Sequence, residues 1–198
     1  SPNTPGLRNL QEKEPLTDLL TAVLAERASS CGDHPPPLLL KLAPDLTDDQ
    51  LRDIAEVLLT LKIDGVILTN TTLSRPDTLP TEFAEQKGGL SGAPLTDLST
   101  AIIRRFYALT KGKIPIVGVG GISSAEDAYA KIRAGASLVQ VYSGLIFQGP
   151  TLPSMINKGL LDLLRRDGFS HISEAVGADH TLDLEVNNED THTDHDIA

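Results

Sequence analysis

Four short, continuously apolar runs, residues 38–42, 65–69, 114–119 and 138–142, punctuate the chain. Each is too short for a helix, and hydrophobicity that does not alternate marks strands buried on both faces, as in parallel sheets. Between the runs the apolar period changes to that of one helix face. In residues 47–62, Thr47 and Gln50 form a capping box ahead of Leu51, Ile54, Ala55, Leu58 and Leu59. Further helices are predicted over residues 96–109, 123–134 with Ser123 and Glu126 as capping box, and 153–166, with one more, about 16–27, before the first strand. Helix and strand alternating in this way require parallel strands joined by crossovers, an α/β fold.

Four such units make either half of an eight-stranded (β/α)8 TIM barrel or a small open sheet, and the polar residues discriminate. Lys41 with Pro44 and Asp45, Asn70 with Thr71 and Thr72, Gly118 to Gly121, and Tyr142 with Ser143 fall at or just beyond the exits of successive strands. That is the active face of a barrel, whereas an open sheet gathers such residues at one switch point. The reading is therefore half of a barrel. Barrels commonly seat a phosphate on the loops after strands seven and eight, where Gly118 to Gly121 and Tyr142-Ser143 would fall, so it is the second half, strands five to eight.

The chemistry at these exits follows from the residue types. Gly118-Val119-Gly120-Gly121-Ile122-Ser123 joins a strand to a capped helix, so its N–H groups can approach an anion with no Cβ in the way. It is either a phosphate cradle or a tight strand-to-helix turn. The third glycine of the dinucleotide fingerprint is missing, which argues against a Rossmann site. Lys41 interrupts Leu38-Leu39-Leu40-Lys41-Leu42, and a buried ammonium requires an anionic partner unless its stem carries it to solvent. Asn70, Thr71 and Thr72 offer amide and hydroxyl groups suited to a planar ring with carbonyl and N–H edges, or else satisfy their own backbone in a turn. The loop from Thr71 to Pro94, with Gly88-Gly89-Leu90-Ser91-Gly92, is long enough to be functional rather than idle.

Composition modifies this picture little. The 198 residues are 40% hydrophobic, ordinary for one core, and the formal charge of −10 would repel nucleic acid. Nine of the 27 acids follow Arg166, where there is no Lys or Arg, so 18 acids face 17 bases in a nearly neutral body. Two regions are expected: residues 1–180 as the half barrel, and 181–198 as an acidic, disordered tail. His192 and His195 in that tail, beside Asp194 and Asp196, read as polar residues rather than a metal site. The lone Cys31 excludes an internal disulfide and fits a reducing compartment. No apolar run approaches the roughly 20 residues of a membrane span.

With Ser1-Pro2-Asn3-Thr4-Pro5-Gly6-Leu7-Arg8, several motifs occur in order: Lys41-Leu42-Ala43-Pro44-Asp45-Leu46, Thr69-Asn70-Thr71-Thr72, Gly89-Leu90-Ser91-Gly92, Gly118-Val119-Gly120-Gly121 and Lys131-Ile132-Arg133-Ala134-Gly135-Ala136. Together, from Ser1 to about His180, they resemble the dihydroorotate dehydrogenase family, specifically its membrane-associated, quinone-reducing class 2. The resemblance implies FMN, held by Lys41, Thr69, Gly92, Gly120, Gly121, Tyr142 and Ser143, and dihydroorotate held partly by Asn3, Asn70 and Thr71. Ser1 matches the base that removes the C5 proton while hydride leaves C6. The soluble class has cysteine there, so serine favours the class reoxidised by ubiquinone, in pyrimidine biosynthesis at the mitochondrial inner membrane.

Ser143 stands where close relatives often have threonine, which keeps the hydroxyl. The resemblance also implies an N-terminal half with four more strands, the quinone tunnel and the membrane attachment. The start at Ser1, without Met or signal-like segment, is expected to lie in the middle of such a protein, and this chain by itself is expected to be inactive. The rivals are another FMN barrel of the dihydropyrimidine dehydrogenase kind, which would carry cysteine in place of Ser1, a non-redox phosphate-binding barrel, and a non-catalytic binding fragment.

Overall fold

The computed structural model describes residues 4, 6–77 and 79–180. Ser1, Asn3 and the acidic tail with His192 and His195 lie outside the described residues. In chain order the regular elements are α1 (Lys13–Ser30), β1 (Leu39–Leu42), α2 (Asp48–Thr60), β2 (Gly65–Leu68), α3 (Thr81–Ala84), α4 (Thr96–Thr110), β3 (Ile116–Val119), α5 (Ala125–Arg133), β4 (Leu138–Gln140), α6 (Ser143–Gln148), α7 (Leu152–Arg166) and α8 (Ile172–Ala175). Short 3-10 turns at Leu7–Gln11 and Ala93–Leu95 precede α1 and α4.

The four strands form one parallel sheet in the order β1-β2-β3-β4, with Leu40 opposite Val66, Val66 opposite Ile116, and Val117 opposite Leu138. Strand order follows chain order without reversal, so there is no switch point. Right-handed crossovers of one sense then lay their helices on one face of the sheet. Accordingly α1 packs on α2, α2 on α4, α4 on α5, and α5 on α7, a single outer layer.

Two apolar clusters lie under that layer. One joins β2 and β3 to α2 and α4 through Val66, Leu68, Ile116, Leu51, Ile54, Leu58, Ile103 and Phe106. The other joins α5 to α7 through Ala128, Ile132, Leu152, Ile156 and Leu160. The central strands are the more buried: Leu39 on β1 and Leu138 on β4 are exposed, since each edge strand lacks a neighbour on one side, although Leu42 of β1 reaches the core.

Element ends differ from the sequence pattern for identifiable reasons. The third strand begins at Ile116 because Pro115 has no N–H for the ladder, although its carbonyl accepts from Val66. The fourth stops at Gln140 because the chain turns at Tyr142 into α6, a helix the pattern does not foretell. The Thr47 and Gln50 capping box on α2 is present. On α5 the box is Ser124 with Asp127, not Ser123 with Glu126. The short Asp127 carboxylate accepts from the N–H groups of both Ser123 and Ser124 at 2.9 and 3.0 Å, while Glu126 stays in solvent.

The segment after α7 is tied back by ions. Arg133 donates to Asp167 and Asp179 at 3.0 and 2.7 Å, and Arg104 reaches Asp179 at 2.6 Å. Hydrogen bonds from Arg166 and the Tyr129 hydroxyl, with the charge of Arg133, hold the Asp167 carboxyl down at about 2. A carboxyl depressed in the fold stabilises it above the unfolded value of 3.8, and that contribution is lost as pH falls towards 2. Asp167→Asn is therefore expected to melt lower than wild type at neutral pH and to converge with it as pH falls from about 4 to about 2. Parallel melting curves against pH would contradict the latch.

Candidate active site

A cavity of about 320 Å³ opens at the C-terminal ends of the strands. Its wall contains Lys41, Thr69, Asn70, Thr71, Gly120, Gly121, Tyr142 and Ser143 from four separate strand exits, with Gly92 from the loop before α4, whereas Pro44, Asp45, Thr72 and Gly118 are not on it. A larger open cleft of about 850 Å³ lies on the helix layer between α5, α7 and the final segment. It contains the Arg133, Asp167 and Asp179 ion pairs, whose charges are already engaged with one another, and no glycine loop.

The glycine loop after β3 is built from its carbonyls. Gly120 and Gly121 have φ of +124° and +69°, and a Cβ on Gly121 would collide with the backbone and side chain of Thr96. At that close approach the Thr96 hydroxyl donates to the Gly121 carbonyl at 2.9 Å, and the Ser99 hydroxyl to the Gly120 carbonyl at 3.1 Å. A trans peptide points its N–H opposite its C=O. Fixing these carbonyls on α4 therefore turns the N–H groups of Gly121 and Ile122 away from α4, towards the cavity that both residues line. Neither N–H meets an acceptor among the described residues. The loop is thus both a tight turn and an anion-directed surface.

At β2 the chain leaves the strand through a cis Leu68–Thr69 peptide, and Thr69 N–H donates to Val119 at 2.8 Å. Asn70 Oδ1 accepts from the Thr71 N–H at 2.8 Å, so the side chain does cap its own turn. Its amide NH2 and the Thr71 hydroxyl carry no hydrogen bond among the described residues, which leaves both groups for a ligand. The two readings of this turn are compatible.

Lys41 requires a correction. It is exposed, because β1 is an edge strand and the sheet face beneath Lys41 has no cover. Its position at the cavity, rather than a burial cost, is what singles it out. Gln140, one polar residue between Val139 and Val141 at the end of β4, carries the same signal and lines the cavity without having been singled out. Ser91 is also on the wall, and its hydroxyl lies 2.9 Å from that of Ser143, joining the glycine-rich loop before α4 to the start of α6.

The long 71–94 loop is held rather than slack. Thr72 and Leu90 exchange backbone hydrogen bonds at 3.1 and 2.8 Å, and Arg75 donates to the carbonyls of Gln86 and Gly88 at 3.0 and 2.7 Å. Asp45 anchors it to the exit of β1 by accepting from the Thr72 hydroxyl and the Leu73 N–H, and it pairs with Arg8 at 2.7 Å. Burial pushes the Asp45 carboxyl up, but these hydrogen bonds and the Arg8 charge outweigh it and hold the group below its ordinary value. Among the described residues no three His, Cys, Asp or Glu side chains are grouped to hold a metal, and no helix is long and apolar enough to cross a membrane.

Comparison with known proteins places these features in a family. The family described as dihydroorotate dehydrogenase matches residues 1–164. The chain is 53% identical over 180 residues to the dihydroorotate dehydrogenase (quinone) of Rhodospirillum rubrum, covering 91% of this chain and 49% of that protein. It is 54% identical over 182 residues to the dihydroorotate dehydrogenase (quinone), mitochondrial, of Oryza sativa subsp. japonica, covering 90% and 39%. A crystal structure of Eimeria tenella DHODH in complex with ferulenol matches with a TM-score of 0.86 at 40% identity, over 91% of this chain and 52% of that one. The chain thus spans at most about half the length of these relatives.

Gly121→Ala is expected to dislodge the loop from α4 and lower the melting temperature well beyond the effect of Gly149→Ala. The latter is a positive-φ site where a Cβ meets nothing, and it should cost only the backbone strain of roughly 1–3 kcal/mol. Equal losses in thermal denaturation would mean that the contact with Thr96 does not shape the loop.

Proposed function

We propose, for a chain that belongs to the dihydroorotate dehydrogenase family and whose sheet and helix layer are part of a (β/α)8 barrel, that the protein oxidises dihydroorotate to orotate with FMN as cofactor and ubiquinone as the final oxidant. The observation that carries this reading is the meeting, in one cavity at the strand exits, of an anion-directed glycine loop and a free amide and hydroxyl pair. FMN has a phosphate at one end and a flat ring with carbonyl and N–H edges at the other, and the cavity offers chemistry suited to both.

When bound, FMN supplies a ring that accepts hydride from C6 of dihydroorotate and passes the electrons to quinone. The chain's own residues supply binding, charge and a proton acceptor. Gly120, Gly121, Tyr142 and Ser143 are assigned to the phosphate end, and Thr69 and Gly92 to the rest of the cofactor. Lys41 places an ammonium at the exit of β1, where it favours negative charge on the ring. Asn3, Asn70 and Thr71 are assigned to the substrate. Ser1 is assigned as the base for the C5 proton, by resemblance. A serine is a weak base, so the proton must pass on to water or another hydroxyl inside a closed site.

The relatives' additional length leaves room for four further strands, and we assign to that N-terminal half the opposite wall of the cavity, the quinone path and the membrane attachment. The rice relative is named mitochondrial and the R. rubrum one is not, so the proposed place at the mitochondrial inner membrane rests on relatives of the former kind.

Denaturing mass spectrometry of the full-length protein is expected to release FMN, and anaerobic dihydroorotate to bleach the flavin absorbance. Ser1→Ala should retain FMN and slow the bleaching at neutral pH by about 100-fold or more. Flavin that dihydroorotate does not bleach would refute the activity, and an unchanged rate in the variant would remove Ser1 as the base.

A further inference from the structure

We infer that Lys131, buried beneath the Gly120 and Gly121 loop, is the positioning residue and charge partner of the phosphate that the loop binds, an inference that rests on the FMN reading above. Lys131 lies on α5, outside the cavity wall, and is 0% exposed. Its stem packs beside β3, where the space next to Gly118 is closed by Ala136, Ile103 and the Lys131 Cβ at 3.1, 3.2 and 3.4 Å from where a side chain would begin. Its Nζ donates to the Thr96 carbonyl at 3.0 Å, the Ser99 hydroxyl at 2.5 Å and the Thr100 hydroxyl at 2.8 Å.

The arrangement of these bonds suits the charged form. Ser99 directs its proton to the carbonyls of Gly120 and Thr96, both at 3.1 Å, and Thr100 directs its own to Thr96 at 2.8 Å. Both hydroxyls therefore present lone pairs to Nζ, and a carbonyl can only accept. Three acceptors match the three N–H groups of an ammonium, whereas a neutral amine would leave one acceptor unfilled.

No carboxylate among the described residues pairs with this ammonium. Asp127 spends its carboxylate on Ser123 and Ser124, and Asp97 is exposed; both attract Lys131 only from a distance. Burial accordingly lowers the lysine to about 8 despite them. A buried cation without a counter-ion is costly, and a phosphate on the other side of the loop offsets that cost. The path is short: Nζ polarises the Ser99 hydroxyl, the hydroxyl polarises the Gly120 carbonyl, and the same peptide presents the Gly121 N–H to the cavity.

The test compares FMN with riboflavin, which lacks the phosphate, and inorganic phosphate, which lacks the ring, on the full-length apoprotein. Lys131→Met is expected to weaken FMN and inorganic phosphate roughly 10- to 100-fold while riboflavin affinity stays within about twofold. Equal weakening of FMN and riboflavin would reduce Lys131 to a packing role, and unchanged FMN affinity would also overturn the inference, with the FMN reading intact. Wild-type protein that binds phosphate but neither flavin would overturn the FMN reading alone, because Lys131→Met must then still weaken phosphate. Should Lys131→Met fail to fold, Ser99→Ala cuts the same path with the lysine retained, and it must show the same selective loss of FMN over riboflavin.

Discussion

The approach of the β3 to α5 loop to helix α4 is the constraint on which the site depends. Gly121 packs against Thr96 so closely that no side chain fits, and the hydroxyls of Thr96 and Ser99 take the carbonyls of Gly121 and Gly120. Those carbonyls would otherwise face the cavity or leave the loop without a fixed orientation. Held as they are, they turn the intervening N–H groups the other way. The parallel architecture makes this contact available, because consecutive crossovers put α4 and α5 side by side on one face with β3 between their connections.

A second consequence of the architecture is the distribution of exposed apolar surface. The described residues bury β2 and β3 but leave Leu138, Tyr142, Ile146 and Phe147 each more than half exposed, along the β4 edge and α6. Leu39 and Lys41 are exposed at the other edge. A sheet that continues beyond both edges covers such surfaces, and relatives about twice as long as this chain have the residues to do so.

Much of this was legible in the sequence, because parallel strands and amphipathic crossovers leave strong patterns. Apolar runs marked the four strands, and the residue types at their exits together with the family resemblance led to nine positions that share the cavity wall. What was not legible depended on tertiary geometry. Whether Ser123 or Ser124 caps α5 is decided by the reach of Asp127, and the exposure of Lys41 by its place on an edge strand. Gln140 bore the same signal as Lys41, a polar residue in an apolar run, and could have been found. Lys131 could not: on a helix rich in charge it reads as a solvent-facing residue, and only packing against Thr96, Ser99 and Thr100 reveals it as a buried cation.

The most direct test of the account is amide hydrogen exchange in the full-length protein with and without FMN. If the loop is a phosphate cradle, the amides of Gly121 and Ile122 exchange freely in the apoprotein and become protected when FMN binds, while the core of α4 is unchanged. Protection elsewhere on the molecule, with these two amides exchanging at the same rate in both states, would contradict it.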